Sequence, residues 1–171
     1  MACTQTLAGL AKDCDANMGG IVEIYAANFA DVTAVTLTSG KVSAITMDTG
    51  KKFKTYSLPR NTAYLTSTLN VDQAAGTKYY VTELFMQVNK MDTTKRTEIE
   101  ALKSADLRIL AKDGNGAYWL LGYDFPVNAS AGTAESGTAA GDHNGYNMTF
   151  QENSPILPYE VDSSIVAALL A

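Results

Sequence analysis

With 171 residues, 46% of them hydrophobic, the chain has material for one domain that buries roughly 70% of the surface its unfolded form exposes, and too little for two. Its longest uninterrupted apolar run, 165–171, falls far short of the ~20 residues that cross a bilayer. Thirteen basic against eighteen acidic residues give a net charge of -5, which disfavours a tight grip on nucleic acid, where Lys and Arg must displace the counterions of phosphates.

The opening Met1-Ala2-Cys3-Thr4-Gln5-Thr6-Leu7 lacks the basic start and apolar run of a secretory signal, so the chain is expected to be made and used in a cytoplasm. Cys3 and Cys14 are close enough to close a small loop, but a cytoplasmic compartment favours two free thiols. Residues 1–20 read as an N-terminal arm or loop ending in Gly19-Gly20, because Thr4, Asp13, Asp15 and Asn17 interrupt any apolar stripe.

Residues 21–152 read as a single β-rich domain. Segments 21–26, 32–38 and 42–47 are rich in Val, Ile and Thr and are separated by Asn28, Asp31 and Ser39-Gly40, the pattern of a three-strand meander. From 51 to 72, Tyr56, Leu58, Leu65, Leu69 and Val71 stand among Thr, Ser and Lys around Pro59-Arg60-Asn61. That pattern predicts a long, mostly polar hairpin turning at the proline.

After Ala74-Ala75-Gly76, residues 78–91 alternate as a long strand. Tyr80, Thr82, Leu84, Met86 and Val88 share one face, and Tyr79, Val81, Glu83, Phe85, Gln87 and Asn89 share the other. Tyr79, Val81 and Phe85 make the second face too apolar to lie bare, so a neighbour is expected to cover it.

Asp92-Thr93-Thr94 offers N-caps for a helix over about 93–105, with Ile99, Leu102 and Ala105 on one side and Lys95, Glu98, Glu100 and Lys103 elsewhere. Segments 107–111 and 118–121 flank Asp113-Gly114-Asn115-Gly116, a tight β-hairpin, with Trp119 and Leu121 on one face and Tyr118 and Leu120 on the other. Residues 128–144, all small or polar, predict a flexible loop that orders on assembly. Residues 145–151 return to alternation, with Tyr146, Met148 and Phe150 inward. The remainder, 153–171, contains Pro155 and Pro158 and then an apolar run. It fits either a one- to two-turn helix or a C-terminal arm docking on a partner.

Chemistry-bearing patterns are sparse. His143, the sole histidine, sits in Gly141-Asp142-His143-Asn144-Gly145, too loose a setting for the base of a Ser-His-Asp or Cys-His arrangement. An enzyme built on His143, Asp142 and a cysteine is therefore the third choice, and no catalytic residue is assigned. Three Cys and His residues in all are too few for structural zinc, so no metal is expected. Asp113-Gly114-Asn115-Gly116 lacks the downstream acidic ligand of a calcium loop, and Gly132, Gly137 and Gly141 lack the Gly-Lys-Ser/Thr of a phosphate cradle, so no cofactor is expected either. Nine tyrosines leave a β-sandwich module for carbohydrate or another ligand as an alternative, although Tyr79, Tyr80, Tyr118 and Tyr146 all fall on strand positions where packing explains them.

The order of elements is a long strand, a short helix, a Gly-turn hairpin, a small-residue loop and a strand opening Asn-Gly-Tyr. It is carried by Leu69-Asn70-Val71-Asp72, 80–91, 95–105, Asp113-Gly114-Asn115-Gly116 with Trp119-Leu120-Leu121-Gly122, and 144–150. Together these resemble the tail tube proteins of tailed bacteriophages, over roughly half the chain.

The resemblance implies a mainly β fold, sandwich-like or barrel-like, with one packed helix. It also implies a virion structural protein, assembled in the host cytoplasm, whose hexameric rings stack into a hollow tube for genome passage. The expected partners are further copies of itself, other phage tail or neck proteins, and double-stranded DNA passing through the lumen without tight binding. A neck or tail-completion ring of the same fold is the variant reading. The predicted contacts between subunits are Tyr79, Val81 and Phe85, with Tyr56, Leu58, Pro59, Arg60 and Leu65 of the 51–72 hairpin reaching the adjacent ring.

Overall fold

The computed structural model describes residues 7–12 and 14–171. Among them the β-branched and aromatic runs become β1 (Ile21–Asn28), β2 (Val32–Thr38), β3 (Lys41–Met47), β4 (Lys54–Ser57), β5 (Ala63–Asp72), β6 (Thr77–Asn89), β7 (Leu107–Asp113), β8 (Tyr118–Leu121), β9 (Asn128–Glu135), β10 (Gly145–Ser154) and β11 (Tyr159–Val161). Two α-helices, α1 (Thr93–Ser104) and α2 (Ser163–Leu169), and a 3-10 turn at Phe29–Asp31 complete the set. The fold is mainly β, and neither sheet closes into a barrel.

A seven-stranded sheet has the order β2-β3-β11-β8-β7-β1-β4, and a four-stranded sheet has the order β5-β6-β10-β9. The two pack face to face. Ile24, Ala26, Ile109, Ala111 and Leu121 of the large sheet meet Ala63, Leu84, Met86, Met148 and Phe150 of the small one. Because side chains alternate along a strand, the in-between residues Tyr25, Ala27, Leu110 and Leu120 project to the large sheet's other side. There a second core forms with Val42, Phe53, Val161 and the α2 residues Val166 and Leu169. Burial on both faces explains why β7 is apolar from Ile109 to Ala111 without alternation, Leu107 to Ala111 being buried throughout with Arg108 among them.

Several expectations are met locally. β7 and β8 form the Gly-turn hairpin, with Ala111 opposite Trp119. Asp92 caps α1 by accepting the Lys95 N–H at 2.8 Å, and Leu102 inserts into the inter-sheet core. β6 presents Leu84 and Met86 inward, and β10 presents Tyr146, Met148 and Phe150 inward.

Pairings between distant segments differ from the expectations. The three segments 21–47 do not form a meander: β2 and β3 pair through Ser39-Gly40, whereas β1 pairs with β4 and β7. Residues 51–72 are not a hairpin either, because β4 belongs to the large sheet and β5 to the small one, and Pro59-Arg60-Asn61 lies on the crossover between them. The long hairpin is β5–β6, ten residue pairs from Ala63↔Met86 to Asp72↔Thr77, turned by an Asp72 carboxylate that accepts the N–H groups of Ala74 and Ala75. A polar arm gains a buried face only by joining a half-apolar strand, and β6 supplies one.

The expected loop 128–144 begins instead as strand β9. Its ladder to β10 uses backbone groups and needs no apolar anchor. Residues 153–171 are part of the domain and not a separate arm: β11 inserts between β3 and β8, and α2 packs on the second core. Among the described residues no helix is long and apolar enough to cross a membrane.

Candidate assembly surface

The small sheet has one side in the core and one side open. Its rows run across all four strands, as in Tyr64–Phe85–Thr149–Ala131. Along the open face stand Thr66, Thr68 and Asn70 of β5, Tyr79, Val81, Glu83, Gln87 and Asn89 of β6, and Asn147, Gln151 and Asn153 of β10. The charged side chains that alternation places on this face, Asp72, Glu83 and Glu135, are all acidic. The Tyr64 ring stacks on Phe85 with centroids 5.2 Å apart and planes 15° from parallel.

Both edges of this sheet are unpaired among the described residues, β5 over ten residues and β9 over eight. Unpaired backbone edges of this length are templates for another strand. The β5–β6 hairpin also projects past the sandwich, leaving Leu69 and Val71 about half exposed on the core side and Tyr79 40% exposed on the open side.

The predicted contact residues divide by environment. Tyr79, Val81 and Phe85 share the open face, where Tyr64, not anticipated from sequence, already covers part of Phe85. Tyr56, Leu58 and Leu65 pack against the subunit's own inter-sheet core. The Tyr56 hydroxyl donates to Glu98 at 2.5 Å, and burial pushes its pKa well above the ordinary phenol range. Pro59 and exposed Arg60 sit on the crossover, where the Pro59 carbonyl accepts the Thr62 hydroxyl at 2.6 Å. The structure therefore does not bring Tyr56, Leu58, Pro59, Arg60 and Leu65 to the Tyr79 face. Leu69 and Val71 take the projecting position instead. Their apolar alternation with Asn70 was visible in the sequence, but their partner strand was not.

No family model, curated protein or solved structure matches this chain. The geometry therefore carries the functional reading.

Behind the open face, two buried ionisable side chains hold the connection after β8. Arg108 donates through Nε to the Gly122 carbonyl at 2.7 Å and lies over the Phe29 ring at 4.3 Å. Glu152 of β10 accepts the Gly122 N–H at 2.5 Å. Burial, with a smaller contribution from Asp124, pushes the Glu152 carboxyl up to about 7 against the opposing pull of the Gly122 bond.

At the far end of β9, His143 Nδ1 lies 3.6 Å from Glu135, which also accepts the Asn147 amide at 2.6 Å. Among the described residues neither ring nitrogen of His143 has a hydrogen-bond partner; Cys14 is exposed in the N-terminal segment, and Cys3 lies outside the described residues. Among the described residues no three His, Cys, Asp or Glu side chains group as metal ligands.

Proposed function

We propose that this chain is a structural subunit whose copies close into a ring, the rings stacking into the hollow tube of a phage tail. The observation that carries this reading is the small sheet. It has four strands, each antiparallel to the next, so β5 and β9 run in opposite directions. A copy related by simple rotation therefore offers its β5 antiparallel to β9 of the first, and the alternation continues across the joint. An odd number of strands would break it.

Such heterologous contacts close a ring when the rotation closes, and a specific one buries upwards of ~1,000 Å². We place the open face toward the passage, so Val81 and Phe85 line it and do not meet a neighbouring subunit, Tyr64 of the same subunit supplying the cover over Phe85. The hydroxyl and amide side chains and the carboxylates of that face repel phosphate or leave it free to slide, and a duplex needs that to move along a wall. Tyr79, Leu69 and Val71 at the projecting hairpin end then meet the adjacent ring.

Negative-stain microscopy of concentrated protein tests this directly. Rings or stacked rings with a central channel are expected, tubes marking a tail tube and single rings a neck position. Monomers alone at every concentration and salt would overturn the reading.

A further inference from the structure

Among the described residues the N-terminal segment is hydrogen-bonded to the body at its base. Asn115, in the turn between β7 and β8, accepts the Met18 N–H at 2.8 Å and donates to Asn17 at 2.8 Å and to the Met18 carbonyl at 3.1 Å, while Gly114 N–H donates to Gly20. The described residues between 7 and 16 have no regular structure, and Leu7 and Leu10 are 90% and 103% exposed. Two bare leucines three residues apart, on a tether held at its base, are apolar surface that the described residues leave uncovered.

A matching vacancy in apolar packing lies on the opposite edge of the small sheet. Between α1 and β9 runs an open groove of about 330 Å³, walled by Ile99, Ala129, Ala134, Tyr146 and Met148, with Arg96 and the Lys103–Glu100 ion pair on its rim. The small side chains Ala129 and Ala134 of β9 leave room for larger ones, while the β9 backbone edge itself is taken by β5 of the next copy in the proposed ring. The rim carries one net positive charge, and the sequence of the arm holds Asp13 and Asp15 against Lys12.

The base of the arm stands beside Tyr64 and Leu65 at the start of β5. Its own groove is three strand spacings away, roughly 14 Å, on the far edge, whereas in the ring proposed above β5 abuts the next copy's β9, about 4.8 Å away. Ten extended residues reach roughly 33 Å, ample for the nearer target.

We infer that residues 7–16 form an exchange arm, with Leu7 and Leu10 seated in the groove between α1 and β9 of a second copy of this chain. This rests on the ring reading and adds a clasp to it: each subunit holds the next by its edge strand and by its arm.

Two chains test the arm, both carrying Cys3→Ser and Cys14→Ser, one with Leu10→Cys and the other with Ala134→Cys. Mixed, assembled and oxidised, they are expected to give a disulfide-linked pair containing one of each. A chain carrying both new cysteines is expected to link between copies. A faster-migrating monomer linked within itself would put the arm in its own groove and overturn the inference. Deleting residues 2–16 is expected to raise the concentration for half-assembly at least tenfold, with the urea midpoint of the monomer unchanged. Rings that form without cross-linking, or a truncated chain that assembles as readily as the full one, would overturn the arm and leave the ring standing. A full-length chain that stays monomeric throughout would overturn both.

Discussion

Gly122 N–H donates to Oε2 of Glu152 at 2.5 Å, and that bond joins the end of β8 in the large sheet to β10 in the small one. Neither partner is exposed to water. The bond places an ionisable group at the seam between the sheets, and the pH dependence of stability follows from it.

Burial raises the Glu152 carboxyl to about 7 in the folded chain, above the ordinary carboxylate value of about 4.3. Between those values the native state keeps a proton that the unfolded chain gives up, so this group's contribution is fully present below about 4.3 and is lost as pH rises through 7. Urea midpoints should therefore fall from pH 5 to pH 8. Glu152→Gln, which keeps an acceptor for Gly122, should flatten that slope and raise stability at pH 8 by about 2 kcal/mol. An unchanged slope in the variant would remove Glu152 as its source.

Gly122 itself has φ 85°, and an added Cβ would meet the Leu107 carbonyl oxygen at 3.1 Å and the Arg108 Cα at 3.3 Å. Both obstacles are backbone and cannot swing aside. Gly122→Ala should cost about 2 kcal/mol, read from urea unfolding followed by the fluorescence of Trp119, the chain's one tryptophan. A loss below about 0.5 kcal/mol would mean that the turn relaxes freely.

Leu102 is the buried residue of α1 and inserts into the inter-sheet core beside Leu107. Leu102→Ala leaves a cavity and should lower stability by about 2–4 kcal/mol. Asp92→Ala, which removes the cap on the Lys95 N–H, should cost about 1 kcal/mol. If the cap variant proved the more damaging in a thermal melt, α1 would be held by its end and not by its packing.

Leu69 and Val71 lie on the projecting end of the β5–β6 hairpin, beyond the packed body. Leu69→Asp with Val71→Asp should leave the folded subunit within about 0.5 kcal/mol of the original, since these side chains bury little. The same pair should stop growth beyond single rings in electron micrographs. Tubes of normal length from the double variant would show that the hairpin end does not carry the contact between rings.

What the sequence determined by itself was local. A period of two placed Leu84 and Met86 on one face of β6 and Phe85 on the other, a period near three and a capping aspartate placed α1, and Asp113-Gly114-Asn115-Gly116 placed the β7–β8 turn. Such patterns report each residue's own surroundings. Partners were decided only in the tertiary structure: that β5 leaves β4 for β6, that Ala-rich β9 is a strand, and that β11 inserts beside β3. Backbone N–H and C=O groups are chemically the same at nearly every residue, so a strand's alternation says which way its side chains point. Which distant strand satisfies its backbone depends on how the apolar faces of the whole chain pack together.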